Sequence, residues 1–182
     1  MLYLLYVNDS VFLGKDDFAR TTTFLRICST SVLLPLITVL LLKGLGFIQS
    51  IHLHTRRERI VPYIASLTFF FWSYYVSKRL NDPLALRAFL LGLFIIACAA
   101  LVMNTYFKVS MHALAAGALL ALFTLLLFNN YVDDSLSMLL AVVTAAVICT
   151  SRLIAGSHQP FDIYFGFAMG VVIQLVCWWI VA

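Results

Sequence analysis

Apolar residues run along this chain in six blocks, each bounded by a short polar cluster. They extend roughly from Ile27 to Ile48, Ile60 to Val76, Ala88 to Met103, His112 to Asn129, Leu136 to Thr150 and Phe161 to Ala182. The blocks are continuous rather than alternating, and each approaches the about 20 residues that a helix needs to cross a bilayer. In lipid a backbone must satisfy its own hydrogen bonds, which excludes isolated strands and leaves helices. The pattern therefore predicts an all-α fold, a polytopic membrane bundle of about six transmembrane helices. The second, third and fifth blocks are short, so their helices either tilt little or are extended by flanking polar residues that snorkel toward the interface. Lys43, near the end of the first block, fits that description.

Composition agrees. The mean hydropathy is +1.01, and 63% of the 182 residues are hydrophobic against 11% charged. These values lie outside the range of soluble domains and give no footing for nucleic-acid binding. The length suits a single integral membrane domain over residues 1–182, with 1–26 as an interfacial N-terminal segment. No basic n-region with an apolar core and small-residue cleavage site opens the chain, so its start reads as an amphipathic segment and not a cleaved signal. Cys28, Cys98, Cys149 and Cys177 all fall inside apolar blocks without the spacing of a metal or redox site, and read as buried small hydrophobes.

Six spans sort the connections onto two sides. His52, His54, Arg56, Arg57, Arg59, Lys108, Ser110, His112, Ser151, Arg152, His158 and Asp162 fall on one side, so all four histidines share a membrane face. Lys15, Arg20, Arg26, Lys78, Arg79 and Arg87 fall on the other, with the termini. Setting aside Lys108 and Arg152 as candidate site residues, basic residues favour the terminal side by six to three. The positive-inside rule then puts the termini in the cytoplasm, and the histidine face outside it, in a protein of the cell (inner) membrane. The stretches Ser77 to Arg87 and Asn129 to Ser135 carry turn signals and read as solvated loops without chemistry.

The chemistry-bearing residues concentrate in "SRLIAGSHQPFD", residues 151–162, and "KVSMHALAAG", residues 108–117. Pro160 suits a first helical turn, so the last span begins near Gln159 and puts Asp162 within one turn of His158. A carboxylate on one imidazole nitrogen fixes the tautomer and leaves the other nitrogen as nucleophile or base. The Arg152 fork suits a phosphate oxyanion. In the second cluster Lys108 offers a point charge, Ser110 a hydroxyl, and the first amides of the following helix an anion site. His112 is placed to protonate a leaving group, so the two histidines divide a phosphoryl transfer between them.

The order Ser151-Arg152, five residues, His158, three residues, Asp162 is similar to the third signature of the type-2 phosphatidic acid phosphatase superfamily, which is shared with bacterial acid phosphatases and vanadium haloperoxidases. Val109-Ser110-Met111-His112 resembles a degraded form of its second signature, Pro-Ser-Gly-His. The resemblance runs from about Ala88 to the C-terminus. It implies that His158 is the nucleophile forming a phosphohistidine, Asp162 its orienting partner and His112 the general acid. It further implies that Lys108, Ser110, Ser151 and Arg152 bind the phosphate. The first signature, Lys followed six residues later by Arg-Pro, is absent; only Lys108 stands there, and Met111 replaces a glycine. Arg59, in the basic stretch "HLHTRRERIVPY", is the expected substitute for the missing cation, reaching the site from a loop free to fold over it.

A site at span ends admits substrate sideways from the bilayer, which points to a lipid phosphate or diphosphate. Glu58 and Asp162 are the carboxylates on the histidine face, too few to call for a metal, and no cofactor is expected. The leading reading is a membrane lipid phosphate/diphosphate phosphatase. A phosphoryl transferase using the same site, and a non-catalytic lipid-phosphate or haem-binding bundle, are the alternatives. The specific lipid and the oligomeric state are left open.

Overall fold

A computed structural model describes residues 16–48, 56–106, 109–131, 135–156 and 159–182. All regular structure among them is helical: α1 (Asp17–Cys28), a π-helical turn (Ser29–Leu33), α2 (Leu34–Gly44), α3 (Arg56–Arg79), α4 (Leu84–Tyr106), α5 (Met111–Phe128), α6 (Ser135–Ile154) and α7 (Pro160–Val181). With α1, the π turn and α2 joined as one rod, these make six helices long and apolar enough to cross a membrane. The expected all-α, six-span membrane bundle is what forms.

The rod starts at Asp17, ten residues before its apolar block, so residues 17–26 of the segment expected at the interface are helical and continuous with the first span. Its π turn has a local cause. Pro35 lacks an N–H, and its ring would press on the carbonyl four residues earlier. One widened turn just upstream, closed by Leu34 N–H donating to the Ser29 carbonyl, absorbs the misfit. The three short blocks are lengthened by their polar flanks, giving helices of 24, 23 and 20 residues for α3, α4 and α6. In α3 the extension takes in Arg56 to Arg59. The basic stretch expected as a loop is therefore a helical first turn, because Arg and Glu are good helix formers and nothing before Pro62 breaks the run.

The connection read as a solvated loop over Ser77 to Arg87 is also corrected. Ser77 and Arg87 lie within α3 and α4, so only residues 80–83 link them, with Asn81 in the left-handed region at φ 51°. Asp82 in that link is 2% exposed and forms an ion pair with Arg26 of α1, while Ser77 Oγ donates to Asp82 Oδ2 at 2.9 Å. Deeper along the same seam the hydroxyls of Thr30 and Ser31 lie 3.0 and 3.4 Å from Ser73 Oγ. Apolar burial gives little drive between helices in lipid, so such polar contacts and close packing hold the rod on α3.

The core lies among α4, α5 and α7. Leu86 and Leu90 meet Leu122, Leu126 and Trp178 toward the terminal side, and a second cluster runs from Val109 and Leu114 near the histidine side to Ile173 and Cys177 deeper along α7. By contrast α2 and α6 present apolar faces outward, with Leu40, Leu41, Leu139 and Val147 about half exposed or more. These suit lipid tails. Of the cysteines expected to be buried, Cys177 is; Cys28, Cys98 and Cys149 are half-buried, because their helices lie at the edge or turn that side toward lipid.

Candidate functional site

The pairing of α5 with α7 is the closest in the bundle, and three glycines allow it. A Cβ on Gly117 would stand 2.1 Å from the Phe167 carbonyl oxygen, and one on Gly170 would stand 2.0 Å from that of Leu114. A Cβ on Gly166 would meet the Ser110 carbonyl oxygen at 3.1 Å. Gly166 and Gly170 form a Gly-xxx-Gly stripe, the sequence signal for close helix approach in membranes. That signal is readable in the sequence but plays no part in the site expected above.

Because these two helices run side by side with their starts together, their N-termini converge on the histidine face. Ser110 N–H donates to the Asp162 carbonyl oxygen at 3.4 Å, joining the two motif segments directly. Ser110 is the N-cap of α5: its Oγ accepts from Ala113 N–H at 3.4 Å, and the residue is fully buried. Asp162 stands in the first turn of α7, and its Oδ2 accepts from Gln159 N–H at 3.1 Å. That bond fixes the carboxylate against the Gln159 backbone. Two helix N-termini supply partial positive charge at one place, which favours an anion there.

His112 is exposed in the first turn of α5, on the same face of the bundle. Met111, which stands where the resembled signature has glycine, packs against the Val109 and Leu114 cluster, so its side chain fills core space. Arg152 lies in the last turn of α6, antiparallel to and beside α5, which carries it toward the same end as His112. Its Nε is buried without a hydrogen-bond partner. A guanidinium N–H removed from water and left unpaired is costly unless an anion meets it. Ser151 is exposed and donates to the Ile148 carbonyl at 2.7 Å, so its proton is committed to its own helix while its oxygen remains an acceptor.

His158 and Lys108 lie outside the described residues, as do His52 and His54. Arg59 is placed on the first turn of α3, at the histidine side. Among the described residues no group of three or more His, Cys, Asp or Glu is arranged to hold a metal ion.

Residues 103–182, which run from the end of α4 through α7, match the PAP2 superfamily. The matched region contains both motif segments and agrees with the resemblance read from the sequence. No curated protein matches the chain. No solved structure matches it.

Proposed function

Starting from the PAP2 superfamily region at residues 103–182, we propose that this protein is a membrane-embedded lipid phosphate or diphosphate phosphatase that works through a phosphohistidine. The superfamily and the six spans fit a membrane phosphoric ester hydrolase. The observation that carries the reading is the Ser110 to Asp162 bond, which draws the two motif-bearing helix starts together. The active unit is a single domain over the whole chain.

In the proposed cycle an imidazole nitrogen of His158 attacks phosphorus while the phosphorus–oxygen bond to the lipid breaks. His112 gives its proton to the departing oxygen. Water then attacks phosphorus while His112 takes a proton from it; the phosphorus–nitrogen bond breaks, and inorganic phosphate leaves with His158 restored. Asp162 orients His158 and stabilises its cationic form. Arg152, the amides at the start of α5, Lys108, Ser110 and Ser151 cradle the phosphoryl oxygens. Arg59, in the first turn of α3 on the histidine side, supplies a further cation. Lipid is the substrate class because the site lies at span ends, where a headgroup can arrive from the bilayer.

The test is phosphate release in detergent from a panel of lipid monophosphates and polyprenyl diphosphates, with vanadate as inhibitor of the pentavalent step. Arg152→Gln is expected to lower kcat by a factor on the order of a hundred, as for loss of one preorganised donor. Wild-type kcat in that variant, or no phosphate released from any panel member by the unaltered protein, would overturn the reading.

The histidine face lies outside the cytoplasm in this proposal. An impermeant thiol reagent applied to intact cells should label a cysteine introduced beside Gln49 and spare one introduced beside Asp133. The reverse pattern would invert the topology.

A further inference from the structure

A cavity of about 250 Å³ lies within the membrane-spanning part of the bundle, between α4, α5, α6 and α7. Its lining is apolar apart from one group, the amide of Gln174. Gln174 is 1% exposed, and its Nε2 is buried without a hydrogen-bond partner. On the far side its Oε1 packs so near Gly92 of α4 that a Cβ there would stand 2.3 Å away. The glycine leaves room for the amide.

The position of the cavity relative to the site is set by helical periodicity. Ala115, Ala116 and Leu119 line it from α5, and they follow His112 by three, four and seven residues, which puts all four on one helix face. Ile148 lines it from α6, one turn before Arg152 and on the same face. The cavity therefore begins one turn below the proposed general acid and the unpaired arginine. Ala115 is exposed, so the cavity is open at its upper end. Gln174 follows Asp162 by twelve residues along α7, which puts the amide about 18 Å deeper at 1.5 Å per residue.

We propose that this cavity receives one hydrocarbon chain of the substrate, and that Gln174 in its wall favours a chain with a carbon–carbon double bond at that depth. The proposal rests on the phosphatase reading of the site above it. An apolar space that begins one turn below the headgroup site suits a chain, and an apolar cavity of this kind does not hold water well. A purely saturated chain would leave the buried amide N–H unpaired, whereas the π face of an alkene accepts it, weakly but at no competing cost. Isoprenoid and cis-alkenyl chains share that chemistry.

The experiment compares lipid monophosphates bearing saturated, cis-monounsaturated and isoprenoid chains of matched length with a four-carbon phosphate ester. Ala115→Phe is expected to lower the ratio of kcat/KM for long-chain over four-carbon substrate at least tenfold, through KM. Val147→Phe, at a lipid-facing position that is 61% exposed, leaves that ratio unchanged. Gln174→Leu is expected to erase a preference of about threefold for unsaturated over saturated chains, a factor in keeping with a weak hydrogen bond to a π face. A preference confined to isoprenoid or to cis-alkenyl chains names the source of the alkene. An Ala115→Phe effect equal on long and short substrates overturns the chain pocket, and an unchanged preference in Gln174→Leu overturns the role of the amide. A lipid phosphate with a photoreactive diazirine in its chain gives a readout free of turnover. Labelling at residues 115–119 or 148 that disappears in Ala115→Phe upholds the pocket, even in a protein that releases no phosphate and so fails the phosphatase reading. Labelling insensitive to that substitution rejects it.

Discussion

His158→Ala is expected to reduce phosphate release by at least about a thousandfold, because in the proposed cycle it removes the atom that forms the covalent intermediate; loss of a nucleophile costs far more than loss of a group that assists it. The motivation is local. Asp162 Oδ2 accepts from Gln159 N–H, and Ser110 N–H donates to the Asp162 carbonyl, so Gln159, the next residue in sequence after His158, is anchored where two helix starts meet. The alanine variant keeps these bonds, since none uses the imidazole. Its thermal midpoint in detergent should therefore match that of the unaltered protein. Quenching a reaction with phosphorus-labelled lipid should trap acid-labile, base-stable label on the unaltered protein and none on the variant. Asp162→Asn should lose less, because its amide oxygen can still accept from Gln159 N–H and the nucleophile remains. More than a tenth of the unaltered rate in His158→Ala would sink the mechanism.

Gly170→Leu is expected to prevent a stable bundle from forming, and Gly170→Ala to destabilise it by about 1–3 kcal/mol, the range for overpacking a close-packed contact. The Cβ at Gly170 meets backbone, the Leu114 carbonyl oxygen at 2.0 Å and Ala118 N at 3.0 Å, so no side-chain rotation relieves it. The helices must part instead. Parting them lengthens the Ser110 to Asp162 bond, so turnover in Gly170→Ala should fall along with the thermal midpoint. Gly44→Ala is the control, since a Cβ there meets nothing within 4 Å. Equal midpoints for the two alanine variants would show that α5 and α7 do not depend on this approach.

Some of this architecture follows from composition and order alone. Six apolar blocks in lipid can only become helices, and their number decides which polar clusters share a side. The start of α7 was equally legible, because Pro160 fits a first turn and Asp162 complements the helix dipole there, as the structure bears out with α7 opening at Pro160. The polar residues that act within the bundle were harder to place. Asp82 looked like part of a solvated turn beside Pro83, yet it is buried against Arg26, a residue 56 positions earlier, and no local pattern announces that pairing. Arg56 to Arg59 looked like a loop because charge usually ends a span, whereas helix propensity carries α3 through them.

Hydropathy and order along the chain are enough to give a membrane helical bundle and the residue types available for phosphate chemistry. Tertiary structure decided how near the two motif helices come, and the reason is steric: glycines at 117, 166 and 170 remove the Cβ atoms that would hold α5 and α7 apart. It also decided that the faces bearing His112 and Arg152 lie one turn above a cavity lined by Gln174, a relation that exists only once four helices surround the same space.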